Sequence, residues 1–300
     1  MQVRRIKRPI HGVLLLDKPI GFSSNQALQK AKWLLQAAKA GHTGTLDPLA
    51  TGLLPLCFGE ATKFAHFLTD ADKTYIATIK LGITTTTGDA EGEYLTVNDR
   101  HILASEFVAA CKPFIGEISQ MPPMYSALKH AGKPLYEYAR AGIEIERKSR
   151  NVSIYSIKQN AFADNIATIT VRCSKGTYIR TLAEDIGNAL GCGAHLIGLR
   201  RTVTANYDIA SAITLEQFEA LAPEERIAAL LPIDSAILYL PALTLDEDSS
   251  FYLLRGQAVQ QSFVIPTGFL RLYNHNQEFL GLGELSLEGK IVPKRLIVNS

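Results

Sequence analysis

A dozen residues near the start of the chain, Gly41 to Gly52, constrain the backbone more than any other stretch. They read GHTGTLDPLATG and include three glycines, which allow positive φ angles and close approach to a partner. Pro48 fixes its own φ and disfavours a helical conformation at Asp47, which we therefore expect on an extended or turning backbone. On local chemistry alone, an Asp-Pro pair of this kind indicates only a turn. A catalytic interpretation of Asp47 needs support from the rest of the chain.

That support comes from six further motifs. In chain order they are KPIGFSS at 18–24, GEATKF at 59–64, DKTY at 72–75, MYSALK at 124–129, SKGTYIRT at 174–181 and GCGAHLIGLRR at 191–201. Together with GHTGTLDPLATGLLP they resemble the TruB family of tRNA pseudouridine synthases. The matches follow the family's own order and cover residues 11 to about 205.

The resemblance implies an α+β fold, with a mixed, mostly antiparallel sheet, flanking helices and a small C-terminal all-β domain of the PUA type. We expect the catalytic domain at 1–236, with a thumb-like RNA-binding insertion at about 119–150, and the PUA-like domain at 237–300. From about Ile237 onward, short apolar runs alternate with turn residues such as Pro266-Thr267-Gly268, which independently favours a small all-β unit.

Composition limits the class of protein. With 300 residues, 47% hydrophobic and 20% charged, the chain is expected to form one or two globular domains. The net charge is only +2, so a polyanion would have to be bound by a clustered basic face. The four cysteines are far apart and form no CxxC pair, which predicts reduced core residues in a cytoplasmic protein. We expect neither a signal peptide nor a membrane span, since the apolar segments are short or interrupted by proline.

Apolar periodicity and capping residues predict the regular elements. These are a buried strand at 13–16, a helix at 25–39 capped by Ser23 or Ser24 and ended by Gly41, a helix at 60–68, a strand at 73–81, a loop or hairpin at 84–94, a helix at 106–114 capped by Ser105, a strand at 166–173, a helix at 179–190, a strand at 196–203 and a capping box at Thr214. The helix at 179–190 places Tyr178 and Arg180 at a strand-to-helix junction, where sheet scaffolds present functional side chains.

The reaction that the resemblance implies is an isomerisation, which needs no redox cofactor and no metal. The sequence contains no glycine-rich phosphate loop and no His/Cys cluster at ligand spacing, so we expect neither. Asp47 is the predicted nucleophile. The resemblance implies Arg180 as its partner; a guanidinium opposes the rise in pKa that burial causes in a carboxyl, and it suits bidentate pairing. Whether Asp47 attacks C6 of the base or C1′ of the sugar stays open.

The expected substrate is the T-loop uridine at position 55 of tRNA, which must be flipped out of the folded loop. By resemblance, the other site residues are Tyr75, which stacks on the base; Tyr178, a second pocket aromatic that also relays the C5 proton; Leu199, which closes the pocket; His42, which fills the vacated space; and Lys18, which steadies the pocket floor or a phosphate. His42 has an alternative explanation as a residue at a helix C-terminus. The candidates for phosphate contacts are Arg200, Arg201, Lys129, Lys290, Lys294 and Arg295.

Several alternatives remain. The stretch 49–52 and the insertion resemble the stand-alone bacterial form, which acts without a guide RNA or protein partner and is expected to be a monomer. The guide-RNA-dependent archaeal and eukaryotic members are the part of the family most easily mistaken for this form. A catalytically inactive RNA-binding or tRNA-folding module would have the same fold but a damaged catalytic set. A glycoside hydrolase would need a second carboxylate, for which Asp17 and Asp89 are the candidates.

Overall fold

The computed structural model describes residues 7–260 and 268–298. Within these ranges the α-helices are α1 Ser24–Leu35, α2 Ala65–Thr69, α3 Ala104–Cys111, α4 Leu135–Arg140, α5 Ile179–Ala189, α6 Leu215–Ala220, α7 Pro223–Ala228 and α8 Glu247–Leu254. Short 3₁₀ turns lie at Gly59–Lys63, Lys112–Phe114, Ile209–Ser211 and Ile233–Ile237.

Most of the strands are short. They are β1 Gly12–Lys18, β2 Ala40–His42, β3 Ala50–Phe58, β4 Lys73–Leu81, β5 Ile83–Thr85, β6 Tyr94–Val97, β7 Gly116–Gln120, β8 Lys129–His130, β9 Lys133–Pro134, β10 Arg150–Ala163, β11 Ile166–Cys173, β12 Ala194–Thr204, β13 Tyr207–Asp208, β14 Ile213–Thr214, β15 Ala242–Thr244, β16 Val259–Gln260, β17 Gly268–Tyr273, β18 Phe279–Leu285 and β19 Lys290–Leu296.

One large sheet forms the body of the fold. Its strand order is β14-β1-β3-β12-β4-β11-β10-β7, with β13 added to β12 and β2 added to β3. Only the pairs β1–β14 and β3–β12 are parallel, and the others are antiparallel. The prediction of an α+β fold with a mixed, mostly antiparallel sheet is therefore confirmed.

Strand β1 is covered on both faces, which explains its unbroken apolar run. Leu14 and Leu16 pack with α1 in one core cluster, whereas Val13 and Leu15 pack with Phe64 and Leu68 in another on the opposite face. Side chains alternate between the two faces of a strand, so a strand buried on both sides shows no polar alternation.

Helix α5 covers the other half of the sheet. Its Leu182, Ala183 and Ile186 are fully buried against alternate residues of β4 and β11. Tyr75 on β4 and Leu199 on β12 pack against both this cluster and the cluster under α1. These two side chains therefore lie at the junction of the two main cores.

A second sheet lies in the C-terminal part of the chain, with the order β15-β17-β18-β19-β16 and its own apolar core. It rests on the large-sheet unit through Phe279, whose ring lies 5.6 Å from that of Phe64. Lys63 also donates to the Leu296 carbonyl at 2.8 Å. The predicted C-terminal sheet is confirmed, although helix α8 was not predicted. The predicted turn at 266–267 lies outside the described residues.

The helix predicted at 25–39 is wrong at its C-terminal end. Helix α1 begins after Ser23, as predicted, but it ends at Leu35 because Gln36 adopts a left-handed conformation with φ +54°. Its N–H donates to the Trp33 carbonyl, which closes the helix four residues early. Gly41 therefore does not cap a helix but lies in strand β2.

Two other predicted helices differ from the structure. Ser105 does not cap α3; the Glu106 carboxylate accepts the Leu103 N–H at 2.8 Å, so the helix begins at Ala104. The helix predicted at 60–68 is split at Phe64 into a 3₁₀ turn and α2, because apolar spacing alone cannot distinguish the two helical types. The strand at 73–81, the hairpin near 84–94 and the Thr214 capping box are confirmed.

Candidate active site

Hydrogen bonds to the first helix region fix the segment between β2 and β3 that carries Asp47. Leu46 N donates to Ser24 Oγ at 2.7 Å, and this hydroxyl donates back to Leu46 O at 3.1 Å. Gly21 N donates to Pro48 O at 2.8 Å. Partners therefore hold the residues on both sides of Asp47, so that the KPIGFSS motif supports the GHTGTLDPLATG motif.

Gly52 allows the end of this segment to enter the sheet. It has φ +102°, and a Cβ there would lie 2.3 Å from the carbonyl oxygen of Arg201. Gly52 and Arg201 are partners in the parallel pair β3–β12. Any side chain at position 52 would therefore push β3 away from β12, and with it the loop that carries Asp47.

Arg180 lies beside Asp47, with Nη2 3.1 Å from Oδ2. The first turn of α5 holds the guanidinium in place, and it is almost entirely buried. Its other contacts are Nη1 to the Thr87 carbonyl at 3.1 Å, Nη1 to Asp89 Oδ2 at 3.5 Å, and Nη2 to the Tyr125 carbonyl. The guanidinium thus divides its donors among several groups, so the bidentate Asp47–Arg180 geometry expected from the sequence is not found.

The environment of Asp47 favours its neutral form more than water does. Burial raises the pKa of this carboxyl, and nearby Asp89 adds to the rise, while Arg180 and Lys18 oppose it. The side chain nevertheless keeps 38% of its surface exposed, toward a cavity. Asp47 is therefore paired with Arg180 yet open to a ligand.

This cavity has a volume of about 360 Å³, within the range of ~300–1,000 Å³ typical of small-ligand sites. Of the predicted site residues, it brings together Asp47, Tyr75, Tyr178, Arg180 and Leu199. These five come from four separate parts of the sequence. Their convergence is what the predicted site requires, although it does not by itself assign a role to any of them.

Tyr178 is held at the N-terminus of α5 by a residue that the sequence analysis missed. The side-chain amide of Gln120 accepts the Tyr178 N–H at 3.0 Å and donates to its carbonyl at 3.3 Å. Burial raises the pKa of the Tyr178 hydroxyl, and neighbouring Ser126 opposes the rise. Ser126 lies within the MYSALK motif, a signal by which the sequence marks it, whereas no local pattern marks Gln120.

Two predicted site residues do not line the cavity. Lys18 is fully buried and donates to the carbonyls of Pro19, at 2.9 Å, and Phe22; burial lowers its pKa to about 8. It can support the loop but cannot contact a phosphate. His42 lies in β2, and its Nδ1 is buried without a partner among the described residues. Since α1 ends at Leu35, the alternative of a helix C-terminal His42 is wrong.

The two adjacent arginines of β12 have different surroundings. Arg200 pairs with Asp17 through both nitrogens, with Nη1–Oδ1 3.0 Å and Nη2–Oδ2 2.6 Å. Arg201 is only 1% exposed, so its predicted role as a phosphate contact is wrong. Lys129 and Arg295 are exposed, whereas Lys290 and Lys294 are exposed but paired with Glu288 and Glu284.

Neither carboxylate proposed for a hydrolase stands free in the cavity. Asp17 is neutralised by Arg200, and Asp89 is buried, accepting from Thr87 Oγ1 at 2.5 Å and from Glu91 N at 3.1 Å.

Among the described residues, no three His, Cys, Asp or Glu side chains are grouped as a metal site would need. None of the described helices is both long and apolar enough to cross a membrane. All four cysteines are free and buried.

Comparison with protein families finds matches along nearly the whole chain. The model described as TruB family pseudouridylate synthase (N terminal domain) matches residues 32–179. That of the tRNA pseudouridylate synthase B C-terminal domain matches 180–238, and that of pseudouridine synthase II TruB, C-terminal, matches 241–297.

Individual proteins give a similar result. The tRNA pseudouridine synthase B of Methylobacillus flagellatus is 58% identical over 297 residues, which cover 99% of this chain and 98% of that protein. Its namesake from Pseudomonas paraeruginosa is 53% identical over 300 residues and 99% of each chain. Among solved structures, a chain in the crystal structure of a Cbf5-Nop10-Gar1 complex superposes with a TM-score of 0.72 and 25% identity, over 97% of this chain and 84% of that one.

Proposed function

This chain belongs to the TruB family of pseudouridylate synthases, and we propose that it converts the T-loop uridine at position 55 of tRNA into pseudouridine, with Asp47 as the nucleophile. Relatives 53–58% identical are named tRNA pseudouridine synthase B, which supports tRNA as the substrate. One observation carries the assignment to Asp47. Among the described residues it is the one carboxylate that lines the cavity, it is paired at 3.1 Å with a buried arginine, and it shares the cavity with two tyrosines.

The proposed reaction rearranges bonds without adding or removing atoms. The N1–C1′ bond of the flipped uridine breaks, the base turns, and a C5–C1′ bond forms; C5 loses a proton and N1 gains one. No electrons are exchanged, so we expect no cofactor and no metal. Asp47 forms a transient bond to C6 of the base or to C1′ of the sugar, and both alternatives stay open.

The surrounding residues have distinct proposed roles. Arg180 keeps a useful fraction of Asp47 ionised, because its charge opposes the effect of burial on the pKa of the carboxyl. Tyr75 stacks on the uracil, and Leu199 excludes water from the same side, since both pack where the two cores meet. Tyr178 relays the C5 proton. Burial raises the pKa of its hydroxyl, so that it is protonated at neutral pH and would have to pass its own proton on.

The RNA would be held by surfaces on both parts of the chain. We propose residues 1–236 as the catalytic domain, 119–150 as its thumb-like insertion and 237–300 as a PUA-like domain. Exposed Lys129, Lys133 and Arg140 on the insertion suit the T-arm backbone. We further propose that the enzyme acts in the cytoplasm as a monomer, without a guide RNA or protein partner.

The test is turnover by the purified chain alone on an unmodified tRNA transcript, with pseudouridine mapped by carbodiimide labelling and primer extension. Product at position 55 is expected, and none on a transcript with cytidine there. Asp47→Asn should abolish product while changing tRNA affinity by less than about threefold, because binding relies on many phosphate contacts. The matched control Asp17→Asn removes a carboxylate outside the cavity and should keep activity.

Other outcomes would identify the alternatives. Binding without turnover by the wild-type chain would favour an RNA-binding or tRNA-folding module. Release of free uracil would indicate a hydrolase. Full activity of Asp47→Asn would remove Asp47 from the mechanism, and product at another uridine would change the substrate position.

A further inference from the structure

Arg201 is an almost fully buried arginine beside the cavity, and no carboxylate among the described residues forms an ion pair with it. Only 1% of its surface is exposed, yet none of the ion pairs among the described residues includes it. Burying a charge without an opposite charge is costly, and such groups are seldom fully buried unless paired. A structural requirement strong enough to offset that cost is therefore to be expected.

The contacts of Arg201 show what it connects. Its Nε donates to the Leu53 carbonyl at 2.8 Å, and its Nη2 donates to the Gly44 carbonyl at 3.3 Å. Gly44 lies three residues before Asp47, and Leu53 lies six residues after it. One rigid guanidinium thus ties together both ends of the segment that carries Asp47.

The same arginine also connects this segment to Tyr75. On β12 its backbone pairs with Gly52 of β3 on one side and with Tyr75 of β4 on the other. The guanidinium lies near the Tyr75 hydroxyl, where its charge opposes the rise that burial causes in the tyrosine pKa. Arg201 therefore links the strand that follows Asp47 to the strand that carries Tyr75.

We infer that Arg201 is a positioning residue, which fixes the Asp47 loop relative to Tyr75 through the carbonyls of Gly44 and Leu53. The kinetic part of this inference rests on the proposed function, in which Asp47 attacks a uridine that stacks on Tyr75. A displacement of ~1 Å between reacting groups can cost about 10²-fold in rate. Arg201 thus acts on the chemical step and not on the capture of tRNA.

The shape of the side chain matters as much as its charge. The two acceptors lie in different strands or loops and are reached by different nitrogens of one planar group. A lysine has a single nitrogen on a flexible stem and cannot reproduce that fork. Lys18, His42 and Lys73 also lie close enough for the charge of Arg201 to lower their pKa values, so other basic side chains surround this guanidinium.

The experiment compares Arg201→Lys with a matched control, Arg226→Lys. Arg226 also donates only to backbone carbonyls, those of Phe218, Glu219 and Leu34, but it joins α1, α6 and α7 away from the cavity. We expect Arg201→Lys to lower kcat about 100-fold with KM and tRNA affinity within about threefold of wild type. Arg226→Lys, at a partly buried arginine that also holds backbone carbonyls, should keep kcat.

Amide hydrogen exchange tests the geometric part without using activity. The amides of Thr43, Leu46 and Ala50 are hydrogen-bonded in the loop, to Pro55 O, Ser24 Oγ and Asp47 O. In Arg201→Lys they should exchange about tenfold faster than in Arg226→Lys, because local opening becomes easier. Exchange rates in Arg201→Lys equal to those in Arg226→Lys would overturn the inference. An inactive wild-type chain would overturn only the proposed function, and the exchange test would still apply.

Two kinetic results would also overturn the inference. Equal losses of kcat in the two variants would mean that Arg201 contributes to folding alone, and a rise in KM at constant kcat would make it a substrate contact. If Arg201→Lys does not fold, Gly44→Ala replaces it. This variant keeps Arg201 but strains a residue with φ +114°, displacing the carbonyl that Arg201 holds. Wild-type kcat in Gly44→Ala would then reject the inference.

Discussion

Arg180 reaches Asp47 through a single nitrogen, with Nη2 3.1 Å from Oδ2, and turns its other nitrogen toward Asp89 at 3.5 Å. The guanidinium therefore bridges two carboxylates, of which only Asp47 faces the cavity. Burial has the largest effect on the Asp47 carboxyl and raises its pKa, Asp89 adds to the rise, and the charge of Arg180 opposes both. The arrangement gives a carboxylate that is positioned firmly but ionised at some cost.

Arg180→Lys should reduce activity far more than its loss of folding stability can explain. A lysine keeps the charge but cannot contact Asp47, Asp89 and the carbonyls of Thr87 and Tyr125 together. We expect kcat to fall about 10²–10³-fold, and the free energy of unfolding to fall by about 1–3 kcal/mol as buried acceptors lose their donor. Single-turnover rates and denaturant titration measure both. Unchanged kcat would leave Arg180 with a purely structural role.

The pH dependence of the chemical step should report on Asp47. Because burial raises the pKa of its carboxyl, the acid limb of kcat is expected above the ordinary aspartate value of ~3.9. Asp89→Asn should move this limb to lower pH, since it removes a negative neighbour and leaves the charge of Arg180 less neutralised. The pH profile of single-turnover rates measures the shift. A limb that moves to higher pH would contradict the electrostatic account.

Asp47→Asn should also be more stable than the wild type at neutral pH. A carboxyl whose pKa is higher in the folded than in the unfolded state loses stability as pH rises through that interval, and the loss persists above it. Replacing Asp47 by Asn removes this cost. The difference in unfolding free energy should shrink as the pH falls toward 4, which denaturant titrations at several pH values would reveal. A destabilised variant at pH 7 would mean that the Arg180 pair outweighs burial.

The thumb-like insertion is expected to contribute phosphate contacts. Lys129 and Lys133 are exposed on the β8–β9 hairpin and take part in none of the ion pairs found among the described residues. If each contacts one phosphate of the T-arm stem, Lys129→Ala with Lys133→Ala should reduce the slope of log affinity against log salt by about 1.8. Binding titrations at several salt concentrations test this, with Lys158→Ala on β10 as a control. An unchanged slope would place the RNA elsewhere.

The C-terminal sheet is expected to contact a part of tRNA beyond the T-arm. Arg295 is exposed and unpaired among the described residues, so Arg295→Ala should leave the sheet intact. We expect it to weaken full-length tRNA several-fold and an isolated T-arm hairpin hardly at all, because one lost phosphate contact costs a modest factor. Equal effects on both RNAs would assign Arg295 to the T-arm surface, and no effect would make it ordinary solvated charge.

Local patterns in the sequence determined much of the fold. Helix α5, strand β11 and the capping box at Thr214 are each marked by residues only a few positions apart in the sequence, so a local pattern is enough to predict them. Resemblance to the family supplied the candidate site residues that the structure brings to one cavity, which are Asp47, Tyr75, Tyr178, Arg180 and Leu199. Their catalytic roles stay predictions.

Only the tertiary structure decided which polar groups are buried and with whom. Adjacent residues of a strand face opposite sides, so Arg200 and Arg201 must differ, but sequence does not say which one is buried. That follows from the place of β12 between β3 and β4, which puts Arg201 beneath the Asp47 loop and Arg200 beside Asp17. Likewise, Asp89 meets Arg180 across 91 residues of chain because the hairpin loop and α5 pack together. Such pairings depend on strand order and packing, which no short stretch of sequence contains.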